Sequence, residues 1–301
     1  MIAVFGSVNI DLVTQVERIA APGETVMGEA YVTIPGGKGA NQALAARRAG
    51  ADVLMVGAVG RDGFAETALG LLRRAGVDLS GVAAVDAPTG AAFIAVDARG
   101  ANAITVAAGA NARARAAQLG AATLPGGLLL LQREVPDAEA EAAARIARDR
   151  GLRTVLNLAP SGPLPDSYLA LVDVLVVNEH EAADLAAALG LPDDHAGLAA
   201  HVAERFGIAA TVVTLGAEGA VGWDRGVEHR VPCPKVEARD TTAAGDSFVG
   251  FFAAALEAGL PFPAAMARGT AAGSLACTVE GAQTSIPDAA AVDRLLAGGS
   301  R

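Results

Sequence analysis

Short apolar runs alternate with alanine-rich stretches of helical length from about residue 120 onward, and this alternation constrains the fold more than any other feature. The runs are rich in Val and Leu without polar alternation, which is typical of strands buried on both faces of a parallel sheet. They lie at 128–131, 154–156, 174–177 and 211–215, with helices predicted at 137–150, 179–189 and 196–206. Further strands are predicted at 1–6 and 52–59, and further helices at about 38–49 and 63–75. The sequence therefore predicts an α/β fold, a three-layer sandwich with helices on both faces of a mainly parallel central sheet.

Two stretches early in the chain break this rhythm. Residues 24–35 and 89–108 have the composition of extended strands, and the second divides at the turn sequence Asp-Ala-Arg-Gly, residues 97–100, as a hairpin would. They are predicted to form a separate small sheet, for example a cover over a site, or else edge strands of the main sheet. The C-terminal GGSR is expected to fray.

The composition excludes several classes of protein. Hydrophobic residues make up 52% of the 301 residues, which suffices for a large core and excludes intrinsic disorder. The net charge of −10 argues against a nucleic-acid partner, because a phosphate backbone attracts basic surfaces. Two cysteines, Cys233 and Cys277, give no disulfide framework. No apolar run is long enough for a spanning helix, so we expect no membrane association and a cytoplasmic location.

Polar residues follow five of the predicted strands. In an open parallel sheet, ligands bind beyond the carboxyl ends of the strands, so these residues are expected to converge on one face. Any one of them alone is more simply a helix N-cap. They are Ser7, Asn9 and Asp11, then Glu134, Asn157, Asn178 with Glu179 and Glu181, and Thr214 with Gly216. The nucleotide motifs GxxxxGK[ST] and GxGxxG are absent, as is GxSxG, and the four histidines lack the spacing of metal ligands.

Two glycine-rich segments precede predicted helices. The first is Gly-Gly-Lys-Gly-Ala-Asn-Gln at 36–42, whose glycines let a ligand approach the backbone. A tight turn before a helix would explain the glycines but not the presence of both Lys38 and Asn41. The second, at 239–248, opens a helix whose first N–H groups form a cradle for an anion. Asp246 in that first turn either complements the helix dipole or serves as a general base, and its position alone favours the dipole.

Together these segments resemble the signatures of the ribokinase (PfkB) family of sugar kinases. Asp-Thr-Thr-Ala-Ala-Gly-Asp-Ser-Phe at 240–248 is similar to the C-terminal signature, and Gly-Gly-Lys-Gly-Ala-Asn-Gln to the N-terminal one. Further similar segments are GSVNID, GETV, GAN, NEHE, TLGAEG and GAQTSIP, in this order along the chain. The resemblance implies one ribokinase-like domain over residues 1–301 with a β lid built from about 12–16, 24–35 and 89–108.

The resemblance also assigns roles to individual residues. Asp246 would deprotonate the sugar hydroxyl, and the N–H groups of Ala243, Ala244 and Gly245 would form the anion hole for the transferred phosphoryl group. The residues implied to hold the sugar are Asn9, Asp11, Gly37, Lys38, Gly39, Ala40, Asn41 and Glu134.

The resemblance implies three cofactors, ATP, Mg²⁺ and an activating K⁺. Asn178 and Glu181 would act near the phosphates and Mg²⁺. The nucleotide would be bound by Thr214, Leu215, Gly216, Ala217, Glu218, Gly219, Gly245 and Thr270. The K⁺ site would be formed by Asp240, Thr242, Ala276, Val279, Gly281 and Ser285, several of them through backbone carbonyls.

The expected activity is ATP-dependent phosphorylation of D-ribose at O5. A related kinase of deoxyribose, another pentose or a nucleoside is the alternative within the enzyme class. A catalytically inactive sugar-binding regulator would have lost the base or the anion hole, and both are intact. We expect a homodimer formed through the lid. Leu158 and Arg133 depart from the family pattern and are candidates for tuning substrate choice.

Overall fold

The computed structural model describes residues 1–121 and 127–298, and it has a mixed α/β architecture. Three of the four residues of the C-terminal GGSR lie outside these ranges. The strands within them are β1 (Ile2–Phe5), β2 (Asn9–Gln15), β3 (Tyr31–Gly36), β4 (Val53–Gly60), β5 (Asp78–Val85), β6 (Gly90–Val96), β7 (Asn102–Ala107), β8 (Leu128–Leu131), β9 (Arg153–Asn157), β10 (Val174–Asn178), β11 (Ala210–Thr214), β12 (Ala220–Asp224) and β13 (Val227–Val231). The α-helices within them are α1 (Lys38–Arg48), α2 (Gly63–Ala75), α3 (Asp137–Asp149), α4 (Asp166–Leu169), α5 (Glu179–Ala188), α6 (His195–Phe206), α7 (Ala244–Glu257), α8 (Phe262–Ala276) and α9 (Ala289–Gly298).

Nine strands form the large central sheet, in the order β13-β12-β11-β10-β9-β8-β1-β4-β5. All neighbours are parallel except the pairs β11–β12 and β12–β13, so the mainly parallel sheet is confirmed. Every apolar run that predicted a strand lies in this sheet. Three strands at its two edges, β5, β12 and β13, were not predicted from the sequence.

Alternate residues of the central strands enter two separate cores. Phe5 and Leu131 pack toward α3, α5 and α6 on one face, whereas Val4 and Leu130 pack toward α1, α2, α7 and α8 on the other. This explains the continuous apolar runs, because neither face of these strands meets water. No helix within the described ranges is both long and apolar enough to cross a membrane.

A second, four-stranded sheet has the order β3-β2-β6-β7. The predicted turn at 97–100 separates β6 from β7, and the Asp97 carboxylate accepts the N–H groups of Arg99 and Ala101 at 2.8 and 3.0 Å. Two boundaries differ from the expectation. The strand expected at 12–16 spans Asn9–Gln15, and within 24–35 only the part from Tyr31 is a strand. Asn9 and Asp11 are therefore on the small sheet itself and not in a connection after β1.

Helices α1 and α7 approach each other very closely. Gly250 permits this contact, because a Cβ there would lie 2.4 Å from the Cβ of Ala45 and 2.8 Å from the carbonyl oxygen of Gln42. The N-terminal turns of α1 and α7 are thereby brought together at the edge of the sheet where the parallel strands end.

Candidate active site

The start of α7 presents backbone donors beside a carboxylate. Ala243 precedes the helix in the left-handed conformation, with φ of 58°, and the N–H of Ala244 donates to the carbonyl of Thr241 at 3.2 Å. Within the described residues, no group accepts the N–H of Gly245 or of Asp246. The helix start therefore retains donors and a favourable dipole for an anion, as the glycine-rich segment predicted.

Two amide side chains of α1 hold the carboxylate of Asp246. Asn41 Nδ2 donates to Oδ2 and Gln42 Nε2 donates to Oδ1, both at 2.9 Å. Asp246 is 8% exposed and Asn41 is 5% exposed, so these bonds lie in a desolvated environment. The carboxylate only accepts, so the nitrogen of Asn41 faces it, and Asn41 Oδ1 has no partner among the described residues.

Glu134 connects the start of α1 to the residues after β1. Its Oε2 accepts the hydroxyl of Ser7 at 2.5 Å and the backbone N–H of Lys38 at 3.0 Å. Glycine is required at position 39, because a Cβ there would lie 2.5 Å from the backbone nitrogen of Ser7. The glycine-rich segment thus lets the helix start approach the end of β1.

Asn9 and Asp11 project from β2 toward this region. Asn9 Oδ1 accepts from Asn111 Nδ2 at 2.6 Å, and Asn111 also accepts the backbone N–H of Val8 at 2.9 Å. Burial raises the pKa of Asp11 to about 7, and the negative charges of Glu134 and Asp246 add to this shift. Three carboxyl groups from three separate elements are therefore close enough to repel one another.

A cavity of about 210 Å³ is lined in part by Asp246. Its lining includes Lys38, Asn178, Glu181, Thr214 and Gly245. Burial lowers the pKa of Lys38, but the charges of Asp246, Glu134 and Glu181 outweigh burial and hold that pKa above its ordinary value. Lys38, expected among the sugar-binding residues, thus lies in the same cavity as the residues expected near the phosphates.

Asn178 and Glu181 form a capping box at the start of α5. The Asn178 side chain accepts the N–H of Glu181 at 2.8 Å, and Glu181 Oε2 accepts the N–H of Asn178 at 2.9 Å. Burial raises the pKa of Glu181, although the bond from Asn178 and the charge of Lys38 oppose this. Both side chains therefore stabilise the helix and line the cavity at once. Within the described ranges, no three His, Cys, Asp or Glu side chains are grouped as a metal site.

The segment expected to bind the nucleotide follows β11. Thr214 ends that strand, and residues Gly216–Glu218 form a short 3₁₀ turn that is exposed. Gly219 is required after it, because a Cβ there would lie 2.0 Å from the carbonyl oxygen of Val231. Thr270 on α8 is 6% exposed, and its hydroxyl donates to the carbonyl of Met266 within the same helix at 2.9 Å.

The two segments expected to form the K⁺ site are in contact. Asp240 Oδ2 accepts the N–H of Gly281 at 2.8 Å, and Oδ1 accepts both the N–H and the hydroxyl of Thr242, at 2.8 and 2.6 Å. Burial acts to raise the pKa of Asp240, but these hydrogen bonds outweigh it and hold the pKa below its ordinary value. Of the other residues expected at this site, Ala276 and Ser285 are buried, whereas Val279 is 47% exposed.

Leu158 and Arg133, the two departures from the family pattern, have structural contacts. Leu158 is fully buried in the core on the α3 side of the sheet. The guanidinium of Arg133 donates to Asp137 at 2.7 and 3.2 Å and to the carbonyls of Pro160 and Pro163 at 3.3 Å. Within the described part of the chain, neither residue lines the cavity.

No individual role was predicted from the sequence for three buried polar residues of this site, whereas Ser7 was expected among the polar residues at strand ends. The three are Gln42, Asn111 and Gln132. Gln132 directly follows the apolar run of β8, so the rule that identified polar residues at strand ends would have identified it too.

The raised pKa of Asp11 predicts how stability depends on pH. The folded value of about 7 exceeds the ordinary value of 3.8, so the stability contributed by the neutral carboxyl is complete below about pH 4 and is lost as pH rises through 7. We expect Asp11→Asn to match the wild type at pH 4 and to unfold with a free energy roughly 2 to 4 kcal/mol higher at pH 8. Urea denaturation at both pH values measures this, with Asp86→Asn, an exposed carboxyl, as the control. An equal effect of Asp11→Asn at pH 4 and pH 8 would contradict the assignment.

Comparison with known proteins identifies the family. Residues 1–289 match the pfkB family of carbohydrate kinases. The ribokinase of Haemophilus influenzae is 38% identical over 290 residues, and the deoxyribokinase of Salmonella typhi is 34% identical over 294 residues, in each case over 95% of both chains. The structure of the Arabidopsis thaliana ribokinase complexed with ribose and ATP has a TM-score of 0.88 to this chain at 30% identity, over 98% of both chains. The resemblance inferred from the sequence is thereby confirmed: the chain belongs to the pfkB family of carbohydrate kinases and is a sugar kinase.

Proposed function

We propose that this sugar kinase transfers the γ-phosphoryl group of ATP to O5 of D-ribose. The observation that carries the proposal is the position of Asp246. Its carboxylate lines the cavity together with Lys38 and Glu181, and it is also close enough to Asp11 for its charge to raise the pKa of that carboxyl group. A base in that position would contact both a polar sugar subsite and a phosphate subsite.

The sugar subsite offers groups that suit vicinal hydroxyls. Asp11 and Glu134 are acceptors, Asn41 keeps a buried unpartnered carbonyl oxygen, and the amide nitrogen of Asn9 donates to no described residue. Hydroxyl groups both donate and accept, so a polyhydroxylated sugar would satisfy all four. Gly37, Gly39 and Ala40 would let the sugar lie against the backbone at the start of α1.

Asp246 would accept the proton of the O5 hydroxyl as O5 attacks the γ-phosphorus. Phosphoryl transfer depends on positioning and on neutralisation of charge on the transferred group. The N–H groups at the start of α7 would receive that charge, from Ala243 and Gly245 directly and from Ala244 in place of its bond to the carbonyl of Thr241, and Lys38 would add positive charge from the same cavity. Closure of the small sheet would exclude water, which would otherwise act as the acceptor.

The cavity residues fit a nucleotide-bound Mg²⁺. Glu181 has one carboxylate oxygen outside the capping box, and its raised pKa marks a carboxyl that a cation would stabilise in ionised form. Since few side-chain ligands are available, the remaining ligands would be phosphate oxygens and water, as Mg²⁺ prefers. When bound, Mg²⁺ neutralises the phosphates. Thr214, Leu215, Gly216, Ala217, Glu218, Gly219 and Thr270 would border the nucleoside part of ATP.

A kinase of 2-deoxyribose is the second candidate, favoured by the similarity to a deoxyribokinase. Asp11 would affect the choice between ribose and 2-deoxyribose. A buried acceptor left without its hydroxyl partner would weaken binding of the deoxy sugar, provided that Asp11 accepts from the 2-hydroxyl.

The assignment of Asp246 as base predicts the behaviour of Asp246→Asn. The amide preserves the volume of the carboxylate but cannot take the proton, so kcat should fall by about 10²- to 10⁴-fold while ribose still binds. Coupled-enzyme measurement of ADP formation gives kcat, and calorimetry gives ribose affinity. Turnover within a few-fold of the wild type would rule out Asp246 as the base.

We further propose that K⁺ binds beside Asp240 and activates the enzyme. Three donors occupy Asp240, and a carboxylate has about four acceptor positions, so one remains for a cation shared with nearby backbone carbonyls. Thr242 belongs to the turn that leads into α7, so a cation there would order the anion hole without contacting substrate.

At matched ionic strength, the rate should be higher in K⁺ than in Na⁺ or tetramethylammonium. Asp240→Asn should remove most of this difference. Equal wild-type rates in all three salts would contradict the cation site.

We also propose a homodimer formed through the small sheet. The face that carries Asp11 also carries Val32, Ile104 and Val106, which are 55%, 55% and 52% exposed, by the register of the strands. Contiguous exposed apolar side chains of this kind are typical of a protein interface. A cytoplasmic location is proposed as well, because ATP and Mg²⁺ are available there.

A further inference from the structure

Asp246 terminates a buried chain of side-chain amides that the proposed mechanism does not use. Gln132 Nε2 donates to Gln42 Oε1 at 2.7 Å, and Gln42 Nε2 donates to Asp246 Oδ1 at 2.9 Å. The same Gln42 nitrogen donates to Asn157 Oδ1 at 2.9 Å. Gln42 and Gln132 are both fully buried.

The carboxylate fixes the direction of every amide in this chain. An ionised carboxylate only accepts, so Gln42 presents its nitrogen to Asp246 and its oxygen to Gln132. Gln132 must then present its nitrogen to Gln42. Its own oxygen is left buried without a partner among the described residues, beside Gly6.

That unpartnered oxygen is an argument for function. A buried acceptor without a donor destabilises the fold, and leucine, which fills the preceding positions Leu128–Leu131, would avoid the penalty. Gly6 is also needed, because a Cβ there would lie 2.0 Å from Gln132 Oε1. Positions 132 and 6 thus both accommodate the side-chain amide of Gln132, although this amide destabilises the core locally.

The amides oppose rotation of the Asp246 carboxylate toward the neighbouring ammonium group of Lys38. Lys38 interacts electrostatically with Asp246 and lines the same cavity. A carboxylate free to rotate would turn toward that charge. Asn41 and Gln42 hold one oxygen each, so rotation about the Cβ–Cγ bond would break both hydrogen bonds.

We propose that Gln42, oriented by Gln132, is a positioning residue that holds the Asp246 carboxylate in the plane needed to take the sugar proton. The inference rests on the proposed role of Asp246 as base. It assigns no substrate contact to Gln42 or Gln132, so their loss should lower kcat and leave KM for sugar and for ATP nearly unchanged.

The test is a double-mutant cycle with Gln42→Leu and Gln132→Leu. Gln42→Leu should lower kcat by roughly 10- to 100-fold, since a small misplacement of a catalytic group has effects of this size. Gln132→Leu should lower kcat less. The double variant should be no slower than Gln42→Leu, because both residues act through one path.

Gln118→Leu is the matched control. It removes hydrogen bonds to the carbonyls of Gly57 and Gly81, at 2.6 and 2.9 Å, and neither of these residues belongs to α1 or α7. It should change thermal stability and leave kcat unchanged. If Gln42→Leu does not fold, Gln132→Leu alone carries the test, because it removes the support without touching Asp246.

Two results would overturn the proposal while leaving Asp246 as base. They are a wild-type kcat in Gln42→Leu beside an inactive Asp246→Asn, or additive losses in the double variant. A fully active Asp246→Asn would instead remove the base assignment, and this proposal with it.

Discussion

The hydrogen bonds between the carboxylate of Asp246 and its two amide donors join the starts of α1 and α7. The arrangement of the whole candidate site depends on this contact. Asn41 and Gln42 lie in the first two turns of α1 and Asp246 in the first turn of α7, so the hydrogen bonds align two helix starts at one point. Both helices direct the positive ends of their dipoles to this region, and the start of α7 also offers N–H groups that have no acceptor among the described residues. The site is therefore suited to hold negative charge, in a chain whose net charge is −10.

Close packing makes this arrangement possible. Gly250 lets α7 contact α1 at Ala45, and Gly39 lets α1 contact the residues after β1. The sheet then brings Glu134 and Asn178 to the same edge, because parallel strands end together. Asp11 comes from the small sheet, so the proposed sugar side of the site would be complete only where the two sheets meet. The site combines carboxyl groups that repel one another, and burial together with this repulsion raises the pKa of Asp11.

The sequence predicted the central strands because continuous apolar runs are visible in it. It predicted the convergence of polar residues because these residues directly follow the predicted strands. Continuous apolar runs require burial on both faces, and Phe5 and Val4 do enter opposite cores. β5 was not predicted, because its sequence is not a continuous apolar run. It contains Ser80, Gly81 and small apolar residues, and it lies at a half-exposed edge of the sheet. The amide hydrogen bonds that hold Asp246 were not predicted either. Gln42 and Gln132 are 90 positions apart in the sequence, and only the folded chain shows that their amides meet. Likewise, Lys38 could be placed near a ligand from sequence, but the cavity its side chain enters depends on the rotation of α1.

The assignment of ribose is tested most directly by comparing kcat/KM for D-ribose, 2-deoxyribose and a purine nucleoside at saturating ATP and Mg²⁺. We expect the highest kcat/KM for ribose, because the half-buried carboxyl group of Asp11 lies close enough to the proposed base, Asp246, for their charges to interact, and it suits a hydroxyl-rich acceptor. A lower value for 2-deoxyribose and a much lower one for the nucleoside should follow. A nucleoside or 2-deoxyribose with kcat/KM above that of ribose would contradict the account.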